Sequence, residues 1–197
     1  CDADRLVELA VMGAAFHRAA HGVARPSFGL LNVGSEDIKG HEEVREAHRL
    51  LREGDFDLNY QGFVEGDDLT QGVVDVVVTD GFTGNVALKT AEGVAKFITG
   101  ELRAALTGSL QSKLGALLAR KALRAFRDRM SPRAAAPVVG LNGVVVKSQG
   151  GAEVKEFADA VTMAADLGRN DFAAEIARSM SRLDFGAVPA AAGQGGE

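Results

Sequence analysis

The chain is poor in cysteine, in long apolar runs and in basic charge, and each shortage closes off a class of protein. A single cysteine among 197 residues excludes an internal disulfide and suits a reducing compartment. That residue is Cys1, standing where a methionine is expected. A lipidated N-terminal cysteine would be followed by a polar tether, but Leu6, Val7, Leu9, Ala10 and Met12 begin a helical pattern almost at once, so a truncated chain is expected. No apolar run approaches the roughly 20 residues of a membrane-spanning helix. No basic start, apolar middle and small-residue cleavage site marks a signal peptide. The net charge of −5 repels phosphate backbones, and no aromatics interleave with the basic residues, which speaks against nucleic acid. The G-x-G-x-x-G fingerprint with its distal acidic residue is also missing, which argues against a nicotinamide-dependent dehydrogenase for an intact chain. The absence of tryptophan carries no functional message.

What is present is an alternation of strands and helices, which implies βαβ units and a mostly parallel sheet. A hydrophobic content of 46% suits one compact α/β domain over residues 1–186, with residues 187–197 a mobile Pro/Ala/Gly tail. The densest signal runs from Val73 to Lys89. Val73, Val74, Val76, Val77 and Val78 read as a central parallel strand buried on both faces. Thr79 to Asn85 follows, where Gly81 and Gly84 predict a tight turn, and Val86, Leu88, Val94, Phe97 and Ile98 predict a helix reaching about Thr107. A strand, turn and helix N-terminus in that order point backbone N–H groups and the positive end of a helix dipole at a ligand, most simply phosphate. The same composition also serves as an ordinary connection, and both readings stand at this point.

A helix is predicted over residues 3–21, then a strand from Ser27 to Val33, then a polar loop from Gly34 to Glu42 that opens a helix ending near Glu53. Glu36, Asp37, Lys39 and Glu42 crowd this second junction, either as a site or as a solvated loop with a weak Lys-Glu pair. His17 and His21, four apart, lack a third ligand at a supporting position and read as solvated helix-end histidines, so no metal is expected. A third strand is predicted from Phe56 to Phe63, a further strand region from Pro137 to Lys147, and a final helix from about Ala152 to Ser181. Between Leu110 and Met130, Leu110, Leu114, Leu117, Leu118, Ala122, Phe126 and Met130 fall at helical steps. Lys113, Arg120, Lys121, Arg124, Arg127, Arg129 and Arg133 against Asp128 leave this segment at +6 inside a chain whose remainder is −11. A basic helix with a leucine face fits helix packing in a dimer, an anionic membrane surface or an acidic protein partner.

Three blocks carry a resemblance. GLLNVGSEDIKG, VVDVVVTDGFTGNVALKTAEGVAKFI and GLNGVVVKSQG, in this order and spacing, resemble the PlsX family, the phosphate acyltransferases of bacterial phospholipid synthesis. The resemblance covers nearly the whole chain up to the tail. It implies a Rossmann-like fold akin to isopropylmalate dehydrogenase and phosphotransacetylase, with a protruding basic helical hairpin at about residues 100–131. It also implies transfer of a fatty acyl group from acyl carrier protein to inorganic phosphate, giving acyl phosphate. The family members act as homodimers, need no organic cofactor and associate peripherally with the inner face of the cell membrane. On this resemblance the chain is the later part of the protein, without the early glycine-rich segments. His41 stands where many members have Asn, and Gln149 where many have His, which weakens any histidine base at that loop. Carried over by position, Lys39 and Asn85 are the catalytic candidates. Glu36, Asp37, Glu42, Asp80, Thr83 and Gly84 are expected to bind substrate or shape the site. Lys113, Arg120, Lys121, Arg124 and Arg127 are expected to meet the membrane or the carrier protein. The alternatives are a phosphotransacetylase-like enzyme using acyl-CoA, and a non-catalytic membrane-binding fragment.

Overall fold

A computed structural model describes residues 1–54, 56–130, 135–148, 154–170, 172–181 and 183. The described residues fall into two compact units, one formed by residues 1–80 with 135–197 and the other by residues 81–134. The expected tail at 187–197, Arg133 and Gln149 lie outside the described residues.

The first unit is built on helix α1 (Ala3–His21). Asp2 caps it by accepting a hydrogen bond from the Arg5 N–H at 2.9 Å, and Gly22, left-handed at φ 70°, ends it by donating to the Arg18 carbonyl. One side buries Leu6, Val7 and Ala10 against strand β1 (Ser27–Leu31), helix α2 (Glu42–Glu53) and strand β3 (Val76–Val78). Gly13 sits where a Cβ would lie 2.9 Å from Val76 Cγ1, so the missing side chain lets helix and strand approach. The other side buries Met12 and Ala15 against the last two helices, α6 (Val154–Arg169) and α7 (Phe172–Met180), where Phe16 meets Phe172 edge-on at 5.8 Å.

Strand β1 lies between β2 (Asn59–Val64) and β3, parallel to both. Phe28 pairs with Tyr60 on one side and Val76 on the other, and Leu30 with Phe63 and Val78. Phe28 and Leu30 are fully buried, so β1 is the strand around which this core forms. The expectation of a central strand at Val73–Val78 is corrected: three residues of it form a strand, and they lie at the edge of the described sheet. Just before the strand the Asp75 carboxylate accepts from the Ser27 N–H at 2.7 Å and the Ser27 hydroxyl at 2.8 Å, and Val73 is exposed. The third predicted strand starts later than expected, at Asn59.

Two further expectations are corrected. Pro137–Lys147 holds two antiparallel strands, β4 (Ala135–Val138) and β5 (Val145–Ser148), because Gly140 adopts φ +83° and turns the chain back. The final helix is two helices, α6 and α7, separated at Asn170, whose side-chain amide donates to the Ala19 carbonyl at 3.1 Å. The whole is mixed α/β with a parallel three-stranded sheet, in keeping with the Rossmann-like class.

The second unit contains α3 (Gly81–Thr107), α4 (Leu110–Leu118) and α5 (Arg120–Met130). The break at Gly108-Ser109 falls as predicted, with the Ser109 hydroxyl accepting from the Ser112 N–H at 3.0 Å to cap α4. The predicted continuous run from Leu110 to Met130 is split at Ala119. A groove of about 790 Å³ runs between these helices, lined by Leu102, Leu106, Leu123, Phe126 and Met130 with Lys96 and Arg103 at its polar parts. Among the described residues no helix is long and apolar enough to cross a membrane.

Candidate active site

In the first unit the loop that joins β1 to α2 is held by a network of hydrogen bonds. Asn32 continues β1 by donating its N–H to the Val64 carbonyl at 2.9 Å, and its side chain is buried beneath the loop. There the amide Nδ2 donates to the carbonyls of Gly34 at 3.0 Å and Lys39 at 3.1 Å, tying the two ends of the loop together. Gly40 follows at φ +89°, and a Cβ built on it would lie 1.9 Å from Asn32 Oδ1, so the position admits glycine alone. The Lys39 N–H closes a turn onto the Glu36 carbonyl at 2.9 Å. The two ends of the loop are therefore tied together, and it carries Lys39 at the carboxyl end of the central strand of the described sheet, where open α/β sheets bind ligands.

The Lys39 ammonium lies 3.6 Å from Glu36 Oε1, with both side chains about half exposed. Such a pair contributes about 0–1 kcal/mol and yields readily to a competing anion. Asp37 faces a different group: Oδ1 is 3.4 Å from His48 Nε2 and Oδ2 is 3.8 Å from Arg52 Nη1. Glu42 begins α2 beside Glu43, where both carboxylates favour the positive helix end and fill it with negative charge. His41 precedes them without capping the helix through its side chain. So of the polar residues expected at this junction, the fold brings Lys39 and Glu36 together, turns Asp37 to His48 and Arg52, and sets Glu42 on the helix end.

The expected glycine-rich turn before the second candidate site is not a turn. Thr79 and Asp80 follow β3, and α3 begins at Gly81, so Thr83, Gly84 and Asn85 lie in its first two turns. Neither Gly81 nor Gly84 adopts positive φ, so nothing in their backbone interrupts a helix. Asn85 is exposed in the second unit. The basic residues Lys113 of α4 and Arg120, Lys121, Arg124 and Arg127 of α5 are all exposed there, as are Leu110, Leu114, Leu117 and Leu118.

Three residues that organise the site were not singled out from the sequence: Asn32, His48 and Tyr60. Their signal was a polar residue ending a buried strand, and a histidine on the buried face of α2 among Ala47, Leu50 and Leu51. His48 Nδ1 lies 2.7 Å from the Tyr60 hydroxyl, and its ring stacks on Phe63 at 4.3 Å. Burial lowers the His48 pKa against an opposing push from the Asp37 carboxylate, and burial raises that of Tyr60. The His17 and His21 rings lie 4.6 Å apart, tilted by 51°, with the His17 pKa lowered by burial and then by His21, and no group of three metal-ligating side chains occurs among the described residues.

A model of the fatty acid synthesis protein family matches residues 1–175. The chain is 68% identical over 191 residues to the phosphate acyltransferase of Phenylobacterium zucineum strain HLK1, covering 97% of this chain and 55% of that protein. It is 58% identical over 196 residues to the phosphate acyltransferase of Caulobacter vibrioides, covering 98% and 54%. With that of Maricaulis maris it shares 51% over 186 residues, covering 93% and 53%. The chain thus spans about half the length of these curated relatives. On a family match over most of its residues and relatives this similar, the chain belongs to the fatty acid synthesis protein (PlsX) family.

Proposed function

We propose that this chain supplies a phosphate-handling part of an acyltransferase that moves a fatty acyl group from acyl carrier protein to inorganic phosphate. The observation that carries the reading is the loop of residues 33–40, pinned by a buried amide and presenting Lys39 at the carboxyl end of the central strand. In the proposed reaction a phosphate oxygen attacks the thioester carbonyl, the carbon–sulfur bond breaks, and the thiolate leaves with acyl phosphate as product. Phosphate at neutral pH is already anionic, so the step needs no strong base. The Lys39 ammonium exchanges its weak partner Glu36 for phosphate or for the oxyanion formed on the carbonyl oxygen. Asn85 is kept as a hydrogen-bond donor for the reaction on the family resemblance alone, with Thr83 and Gly84 beside it in the first two turns of α3 and Asp80 just before them. The family membership and the printed names of the relatives support this reaction class.

The exposed basic residues of α4 and α5 suit an acidic carrier protein or an anionic membrane surface, and the exposed leucines beside them suit the membrane or a second copy of the chain. The assay is acyl-phosphate formation from palmitoyl-acyl carrier protein and phosphate, made on a chimaera in which this chain replaces the matching segment of the Phenylobacterium relative. Lys39→Ala and Asn85→Ala are each expected to lower kcat/KM by about 100-fold, the loss of one charge-stabilising group. Unchanged turnover in both variants would refute the site, and transfer from acetyl-CoA in preference to the carrier-bound acyl group would favour the phosphotransacetylase-like alternative.

A further inference from the structure

The loop that carries Lys39 is tied at its ends by Asn32, but its outer part is held by nothing on its own strand. Facing that outer part is His48 of α2. The ring is buried, stacked on Phe63, and fixed at Nδ1 by the Tyr60 hydroxyl. Its other nitrogen, Nε2, is buried without a hydrogen-bond partner, and the acidic group facing it is Asp37 Oδ1 at 3.4 Å. The separation is long and the pair lacks the alignment of a formed N–H···O bond, so a local movement of the loop is needed to complete it. A neutral imidazole that accepts from the Tyr60 hydroxyl at Nδ1 carries its proton on Nε2, the donor that a carboxylate requires. A buried polar atom aimed at a loop is a cost to the fold unless the loop meets it.

Asp37 lies inside the turn closed by the Lys39 N–H and the Glu36 carbonyl, so its position and that of Lys39 are mechanically linked. Arg52 approaches the same carboxylate at 3.8 Å from outside, and Arg45, Arg49 and Glu53 line the shallow depression around it.

We propose that His48 is a positioning residue: its Nε2–H, set by Tyr60, holds Asp37 and through it the turn that aims Lys39 at the anion. This rests on the reading of Lys39 as a site residue. Asp37 thereby becomes a loop anchor and not a ligand of phosphate, which departs from its expected role.

The test uses the same chimaera with Asp37→Ala, His48→Leu, His48→Gln and the Asp37→Ala/His48→Leu pair. Asp37 is exposed, so its removal spares the fold, whereas glutamine at 48 keeps an amide donor near the place of Nε2. We expect kcat/KM for phosphate to fall about tenfold in Asp37→Ala and in His48→Leu, no further in the pair, and to recover to within about threefold in His48→Gln. The melting temperature of Asp37→Ala falls by no more than a few degrees, the cost of leaving Nε2 without its carboxylate, so the variant stays folded in the assay. Full turnover in Asp37→Ala, with Lys39→Ala inactive, overturns the positioning role and leaves the site standing. Full turnover in Lys39→Ala overturns the site itself. Amide hydrogen exchange at Lys39 and Gly40 then decides the anchor alone: it quickens in Asp37→Ala and His48→Leu if His48 holds the loop, and unchanged exchange removes the anchor as well.

Discussion

Gly40→Ala is the sharpest probe of how the Lys39 loop is built. A Cβ there would lie 1.9 Å from Asn32 Oδ1, a separation no side chain tolerates, and Gly40 itself sits at φ +89°. Two costs follow. Left-handed backbone in a residue with a Cβ costs about 1–2 kcal/mol. Asn32 must also swing away, giving up its bonds to the Gly34 and Lys39 carbonyls, a net loss of about 1 kcal/mol each. The loop in its native form is therefore destabilised by about 3–4 kcal/mol. Asn32→Ala gives up the same two bonds, about 2 kcal/mol, but clears the space. In that background Gly40→Ala adds only the backbone cost of about 1–2 kcal/mol, so the double variant should match the Gly40→Ala single, a coupling of about 2 kcal/mol. Urea unfolding followed by circular dichroism, with amide exchange at residues 34–40 to separate loop opening from global unfolding, reads all four corners of the cycle. Additive effects, with the double variant losing about 5–6 kcal/mol, would refute the claim that Asn32 and Gly40 form one device.

Acid should weaken the first unit from two sides. His17 and His48 are held below their ordinary pKa by burial, so the unfolded chain binds protons more tightly, and stability is full above about pH 6.5 and declines as pH falls below it. Glu46 and Glu175, lowered chiefly by hydrogen bonds from Arg49 and Arg178, contribute stability that is lost at lower pH, as those carboxylates take up protons. Urea midpoints measured from pH 8 to pH 4 should fall monotonically, and a stability maximum below pH 6 would contradict the assignments. Replacing Lys113, Arg120, Lys121, Arg124 and Arg127 with Gln should abolish flotation with anionic vesicles at low ionic strength. Undiminished lipid binding removes the membrane reading of α4 and α5.

The parts of the fold that the sequence made legible are those where one local rule decides. The N-terminal helix ends at Gly22, and α3 stops before Gly108-Ser109, because a glycine and a capping serine stand at those positions. The strand order was less legible. Five valines pointed to the edge strand β3, while the central strand, Ser27-Phe28-Gly29-Leu30-Leu31, contains a glycine that dilutes its apolar signal. That glycine is there for a neighbour: a Cβ at Gly29 would lie 2.3 Å from Val64 Cγ2, a residue 35 positions on that no local pattern connects to it. The same holds at the site. The charged loop was visible between glycines and Lys39 was reached through the family resemblance, but Asn32, His48 and Tyr60 act across β1, α2 and β2, and their roles exist only once those elements have packed.

The loop separates two demands that a phosphate-handling lysine must meet. Its backbone has to stay in place, and its charge has to be available. Had Glu36 supplied the order, through a short and buried ion pair, releasing Lys39 to an anion would cost several kcal/mol. Instead the ion pair is open to solvent at 3.6 Å and worth about 0–1 kcal/mol, while order comes from groups other than Glu36: the Asn32 amide beneath the loop, the left-handed Gly40 beside it and the proposed hold of His48 on Asp37. An incoming anion can therefore replace Glu36 without loosening the turn. On this argument Glu36→Gln should leave the loop's amide exchange unchanged while altering phosphate affinity severalfold at most, whereas Gly40→Ala should disturb both. A Glu36→Gln variant with a disordered loop would show that the ion pair, and not the buried amide, holds Lys39 in place.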